Sequence, residues 1–138
     1  MAERAMSENL HLVRSVLAAW ERADFHSVSW AHSEIEYIVI GGPDPGKWDG
    51  LAAMNTSVRD FMHAWENYGI RAERFHELDD ERVLVLVRLS GRGKVSGLDI
   101  AETGASGAEV WHVRDGKVVR LEMYWDRDEA LAELGIRE

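Results

Sequence analysis

The residues best suited to chemistry are Arg88 and His76, each within a stretch whose pattern is that of a β-strand. Alternate residues of a strand share one face, and the face that carries His76 also carries mostly apolar side chains. If Arg88 points to the same side, the two residues form a polar patch in an apolar pocket. Such a patch could orient a carbonyl group or serve as acid and base.

A buried arginine is costly unless a carboxylate accompanies it, so the pocket should also contain an acidic residue. Asp99 and Glu109 lie on the neighbouring predicted strands. We take Arg88, His76 and Asp99 as the candidate catalytic set; the alternatives are a satisfied ion pair or a charged surface. The candidate ligand-binding residues are mostly large and aromatic, as a flat cyclic ligand requires: Trp20, Tyr37, Trp65, Arg74, Trp111 and Met123.

The composition excludes several kinds of chemistry. The chain has no cysteine, which removes disulfides, thiolate nucleophiles and cysteine zinc sites. Its six histidines include no pair at two- or four-residue spacing, the spacing of a local metal site. The sequence therefore predicts no metal and no cofactor.

The charge and hydropathy limit the partners. A formal net charge of −9 argues against nucleic acids and anionic membranes, because both bind through basic surfaces. No apolar run approaches the roughly 20 residues that span a bilayer, and the N-terminus lacks a signal-peptide core. We expect a cytoplasmic protein with no nucleic-acid or membrane partner.

The 138 residues predict a single domain, 1–138, with residues 1–7 as a disordered start. Ser7 is expected to cap a helix over 8–23, where apolar residues recur at helical spacing. Further along, the patterns predict a helical turn over 24–31, a strand over 34–40, a loop over 41–46 and a long helix over 49–67.

The second half reads as strands: 68–78, 82–89, 95–103, 108–113 and 117–125. Asp115-Gly116 predicts a type I′ hairpin turn, since that turn needs positive φ at both central residues. Asp126 is placed to cap a last helix and Gly135 to end it. Strands grouped after helices indicate an α+β domain, in which a cone-shaped, curved antiparallel sheet wraps on a long helix and opens at one end for a ligand.

This order of elements resembles the SnoaL-like family of the nuclear transport factor two-like (NTF2-like) superfamily over nearly the whole chain. The resemblance rests on Ala18-Ala19-Trp20 followed by Asp24-Phe25, the segment 80–85, Ser96-Gly97, the segment 115–119 and the ending 124–135. It implies an α+β barrel, a homodimer formed through the outer face of the sheet, and an apolar pocket for a small cyclic organic molecule.

The acid–base residues of the enzymatic relatives are absent. Val16 and Val39 occupy the positions of the tyrosine and aspartate that the resemblance assigns to ketosteroid isomerase. Arg88 matches the arginine of limonene-epoxide hydrolase, but Ser90 and Met123 replace its two carboxylates.

Two functions stay open. One is a cofactor-independent acid–base enzyme of the cyclase, isomerase or lyase type, for which polyketide cyclases supply a parallel. Asp126 matches their acid–base aspartate, yet its place before a helix is already explained by capping. The other is a non-catalytic module for small-molecule binding or dimerisation.

Overall fold

The computed structural model describes residues 7–25, 27–42, 45–93 and 106–136, without the side chains of residues 66, 67, 92 and 93. Within these ranges it has three helices and six strands in one open, curved sheet. They are α1 (Glu8–Glu21), β1 (Ala31–Ile40), β2 (Gly46–Asp49), α2 (Leu51–His63), β3 (Trp65–Glu77), β4 (Arg82–Gly93), β5 (Ser106–Arg114), β6 (Lys117–Tyr124) and α3 (Arg127–Leu134). The predicted α+β class is confirmed.

The strand order across the sheet is β2-β1-β6-β5-β4-β3. The sheet is mixed, because β1 runs parallel to β6 while every other neighbouring pair is antiparallel. The sequence predicted antiparallel pairing throughout. The parallel pair is possible because the long stretch from β2 to β5 separates β1 from β6 and lets the chain return to the same end.

The capping and turn residues in the sequence predicted correctly where several helices and strands begin or end. The Ser7 side chain accepts a hydrogen bond from the Leu10 backbone N–H at 3.0 Å and caps α1. Asp115 and Gly116 have φ of 52° and 78°, as the predicted hairpin turn requires. Asp126 caps α3, and Gly135 ends it in the left-handed conformation.

The spacing of apolar residues predicted two helical segments less accurately. The helical turn predicted over 24–31 is wrong: residues 24, 25 and 27–30 contain no helix, and β1 already begins at Ala31. Ala23, at φ 64°, turns the chain out of α1, and the apolar residues that follow pack inward from an irregular segment. The helix over 49–67 is shorter than predicted, since β3 begins at Trp65. The predicted strand over 95–103 lies outside the described residues.

Both faces of the central strands are covered. The inner face packs with α1 and α2 and receives Val83, Val85, Val87 and Leu89 of β4. The outer face packs with α3 and receives Leu84 and Leu86. Because both sets are buried, β4 is apolar without alternation, which is why its sequence did not reveal its inner side.

A β-bulge in β3 changes which side chains face inward. Ala72 lies opposite Val87 and Arg74 opposite Leu86, so Glu73 is one extra residue on β3. The Ala72 N–H at this irregularity donates to the Glu21 carboxylate at 2.8 Å. Beyond the bulge, the residues that the simple alternation placed inside lie on the outer face.

Candidate active site

A cavity of about 270 Å³ lies between the inner face of the sheet and helices α1 and α2. Among the described side chains, those of every strand except β4 contribute to its wall, together with α1, α2 and the segment that joins α1 to β1. Its volume is close to the lower end of the range for small-molecule sites. The cone is therefore not filled by its own side chains.

The wall of the cavity is mostly aromatic. Its aromatic residues are Trp20, Phe25, Trp30, Tyr37, Trp48, Phe61, Tyr68 and Trp125. Neighbouring rings pack on one another, with centroids 5.0 Å apart for Phe61 and Tyr68 and 5.8 Å apart for Tyr37 and Trp48. Such contacts fix the ring orientations and leave flat apolar surfaces for a ligand.

Glu109 is the buried carboxyl group of this wall. It lies on the inner face of β5, its residue is 3% exposed, and it is the one buried polar or charged residue of the described chain. The Trp111 side chain, two residues along the same face, donates from Nε1 to Glu109 Oε1 at 3.1 Å. Burial raises the pKa of Glu109 to about 8, and the Trp111 hydrogen bond offsets only part of this effect. The carboxyl group is therefore mostly protonated at neutral pH.

Two tyrosines of the wall lie close enough to Glu109 to feel its charge. The pKa of Tyr37 and of Tyr68 is raised above the ordinary value. Burial of the hydroxyl groups is the larger cause, and the charge of Glu109 is the next. Both hydroxyl groups keep their protons through the physiological pH range and can donate hydrogen bonds. The arrangement thus combines one carboxyl group whose pKa is near neutral with two neutral hydrogen-bond donors.

Three of the six predicted ligand-binding residues line this cavity: Trp20, Tyr37 and Met123. Trp111 is fully buried behind Glu109, and Trp65 packs behind Phe61. The sixth, Arg74, is exposed beyond the bulge, opposite Leu86 of the outer face.

Arg88 and His76 do not point into the cone, so the condition on which the candidate catalytic set depends is not met. Arg88 follows inward-facing Val87 and so points outward, where its side chain is 53% exposed and its Nε donates to Glu73 at 2.9 Å. His76 lies opposite Leu84 of the outer face, because the bulge shifts the alternation. Asp99 lies outside the described residues. The described chain does not assemble the predicted catalytic set in the cavity.

The sequence offered Glu109 only as a partner for Arg88. The actual ion pairs of that region are on the outer face, where Arg127 and Arg88 both bind Glu73 and hold its pKa below the usual range. One local signal did exist: Glu109 interrupts an otherwise apolar run from Ala108 to Trp111. An acid inside such a run is either on a solvent face or buried, and the sequence did not decide between them.

The described part of the chain contains neither a metal-binding cluster nor a helix that could span a membrane. No cluster of three or more histidine or acidic residues there could hold a metal ion. None of the three helices is long and apolar enough to cross a bilayer.

Comparison with known proteins gives structural matches. Neither a protein-family model nor a curated protein matches the sequence. An NTF2-like protein of unknown function from Burkholderia pseudomallei superposes with a TM-score of 0.73 at 21% identity, covering 92% of this chain and 97% of its own. TerC, co-crystallised with polyporic acid, gives a TM-score of 0.70 at 20% identity, covering 93% of this chain and 98% of its own.

A third structure, from Mesorhizobium loti, is of a protein proposed to be a SnoaL-like polyketide cyclase. It gives a TM-score of 0.71 at 12% identity and covers 86% of this chain and 99% of its own. At these identities the matches establish the fold and leave the reaction open. The resemblance seen in the sequence is confirmed at the level of the fold: the chain has the NTF2-like fold of the SnoaL-like proteins.

Proposed function

We propose that the chain binds a small cyclic organic molecule in the aromatic cavity and that Glu109 transfers a proton to or from it without a cofactor. The observation that carries this proposal is the position of Glu109, a buried carboxyl group on the wall of an otherwise mainly apolar cavity. Isomerases, cyclases and dehydratases share one requirement, a positioned acid or base beside the reacting carbon.

The surroundings of Glu109 suit that role. A pKa near 8 lets the group exchange a proton near neutral pH, where acid–base catalysis is most efficient. The Trp111 bond holds Oε1, so we assign proton transfer to Oε2. Tyr37 and Tyr68 would orient an oxygen of the ligand, and the aromatic wall would keep water away from the reacting atoms.

The structural relatives support this proposal. TerC was crystallised with a small molecule, and the Mesorhizobium loti protein is proposed to be a cyclase. The cytoplasmic homodimer expected from the sequence stays a prediction, and light scattering in solution would measure its subunit number.

Proton transfer can be tested with 2-tetralone, a bicyclic ketone whose α-hydrogens exchange with solvent. Incubated with the protein in D₂O and followed by NMR, it should lose these hydrogens at a saturable, protein-dependent rate. Glu109→Gln should lower that rate by about 10²- to 10⁴-fold, the usual contribution of a general acid or base. Glu133→Gln, the same substitution at an exposed residue of helix α3 on the outer face, is the control and should keep the rate.

The outcomes separate the two functions left open by the sequence. Saturable binding of 2-tetralone without exchange would remove the catalytic role and favour a non-catalytic binding module. Exchange that survives Glu109→Gln unchanged would assign it to another residue. A lack of saturable binding by this ketone and by bicyclic aromatic probes of similar size would contradict the cavity as the site.

A further inference from the structure

The charged side chains that the described residues contribute to the cavity wall have one sign. Its acidic residues are Glu109 and Asp60, and no lysine, arginine or histidine is among the described residues of its wall. Arg88, an arginine predicted for the site, points to the opposite face of the sheet. An anionic ligand would therefore meet no compensating positive charge from the described wall, whereas a cationic ligand would meet a buried carboxylate.

Aromatic rings pack on the indole ring that donates a hydrogen bond to that carboxyl group. The Trp20 and Trp30 rings each lie 5.3 Å from the ring of Trp111, which holds Glu109. Tyr68 lies near enough for the charge of Glu109 to act on its hydroxyl group. The faces of aromatic rings attract cations, and the attraction strengthens when water is excluded.

We propose that the ligand of this cavity is a hydrophobic amine, whose ammonium group pairs with Glu109 beside the Trp20 and Trp30 rings. Its apolar body would extend along the remaining aromatic wall toward Phe61 and Trp125. This inference rests on the proposed binding of a cyclic molecule in the cavity and adds the charge that the molecule carries.

The ion pair forms by transfer or release of a single proton, and no further reactant is needed. When a neutral amine enters, the Glu109 O–H bond breaks, an N–H bond forms on the amine, and a carboxylate and an ammonium result. When an ammonium ion enters instead, a protonated Glu109 first releases its proton to solvent. At pH values below about 8 the second route therefore makes the amine affinity fall as the pH falls.

The other groups that face Glu109 do not change this dependence of the amine affinity on pH. Tyr37 from β1 and Tyr68 from β3 keep their protons, since the pKa of each is raised. Trp111 does not titrate, and Asp60 of α2 is an exposed residue at the cavity. A simple alkyl amine has a pKa of about 10, like lysine, and stays charged in solution over the same range.

Three probes of one shape test the proposal by isothermal titration calorimetry at pH 8: 2-naphthylmethylamine, 2-naphthylmethanol and 2-naphthoate. We expect the amine to bind at least tenfold more tightly than the alcohol, and the carboxylate to show no measurable binding. Between pH 6.5 and 7.5 the amine affinity should rise up to about tenfold while the alcohol affinity stays constant. Glu109→Gln should abolish the preference for the amine, and Glu133→Gln should keep it.

Equal or tighter binding of the alcohol to the wild-type protein would overturn the amine proposal and leave the cavity as the binding site. An amine affinity independent of pH would likewise overturn the pairing with Glu109, and this measurement needs no variant to fold. Absence of binding by all three probes would overturn both the amine proposal and the binding role of the cavity.

Discussion

The raised pKa of Glu109 has a cost to the stability of the fold. Its pKa rises from 4.5 in the unfolded chain to about 8 in the folded one, so between these values the folded state binds the extra proton. The stability of the protein is then highest below about pH 4.5 as far as this residue is concerned, and it declines as the pH rises through the window up to about 8.

Glu109→Gln should remove that decline, because the amide has the shape of the protonated acid and does not titrate. The unfolding free energy of the variant minus that of the wild type should increase by up to about 1.4 kcal/mol per pH unit between about pH 5 and 8. Above about pH 8 this difference should stay constant. Urea unfolding at several pH values measures this difference. Parallel curves for the two proteins would show that Glu109 is charged in the folded state at neutral pH.

Arg88 provides the opposite case, a residue that looked catalytic and lies on the surface. Arg88→Ala should change the unfolding free energy by less than about 1 kcal/mol, since an exposed ion pair contributes little. The affinity of the Arg88→Ala variant for 2-naphthylmethanol should stay within about twofold of the wild-type value. A tenfold loss of affinity in a folded variant would return Arg88 to the site.

Arg127 is the contrasting variant on the same face. Its guanidinium donates to the Val87 carbonyl at 2.8 Å and the Gly107 carbonyl at 3.3 Å, as well as to Glu73. Arg127→Ala removes these three hydrogen bonds, two of them to half-buried carbonyls, and should cost about 1–3 kcal/mol, measured by the same unfolding experiment.

At the scale of elements, the accuracy of sequence reasoning followed the range of the interactions. The Ser7 cap and the Asp115-Gly116 turn depend on residues within a few positions, and both were predicted correctly. The bulge at Glu73 depends on the register between β3 and β4 and on the distant Glu21 carboxylate. Because one extra residue reverses every later side chain, this feature alone moved His76 to the other face.

The end of β1 is joined to the cavity wall by a close contact. Gly42 has a φ of 76°, and a Cβ atom added to it would lie 2.3 Å from Cδ1 of Trp125. Gly116 has a similar φ of 78° with nothing within 4 Å of such an atom, so it is a matched control for backbone strain. Trp125 can therefore occupy its place in the cavity wall because Gly42 has no side chain.

Gly42→Ala should destabilise the protein by about 1–3 kcal/mol more than Gly116→Ala, because the added methyl group must displace the indole ring. The displaced ring should also weaken the binding of 2-naphthylmethanol, whereas Gly116→Ala should leave it as in the wild type. Thermal unfolding and calorimetry measure the two effects. Equal losses of stability in both variants would mean that only backbone strain matters at Gly42.

At the scale of the molecule, the fold was readable from the sequence and the site was not. Helix caps, turns and the order of elements pointed to the α+β cone, and structures with TM-scores of 0.73 and 0.70 confirm it. The cavity is built by single residues from many elements, brought together by packing across the whole chain. Three of its aromatic or large residues were predicted, but the faces of β3 and β4 could not be assigned without the registers of the sheet.

The central claim is that Glu109 is a cavity carboxyl group that stays protonated at neutral pH. The most direct test is a ¹³C NMR titration of the glutamate side-chain carboxyl carbons, with Glu109→Gln to assign the signal. We predict a midpoint near pH 8 for Glu109, which moves when 2-naphthylmethylamine is added. A midpoint near the ordinary value of 4.5 would contradict the account, because a carboxyl group ionised at that pH is hydrated or paired with a cation.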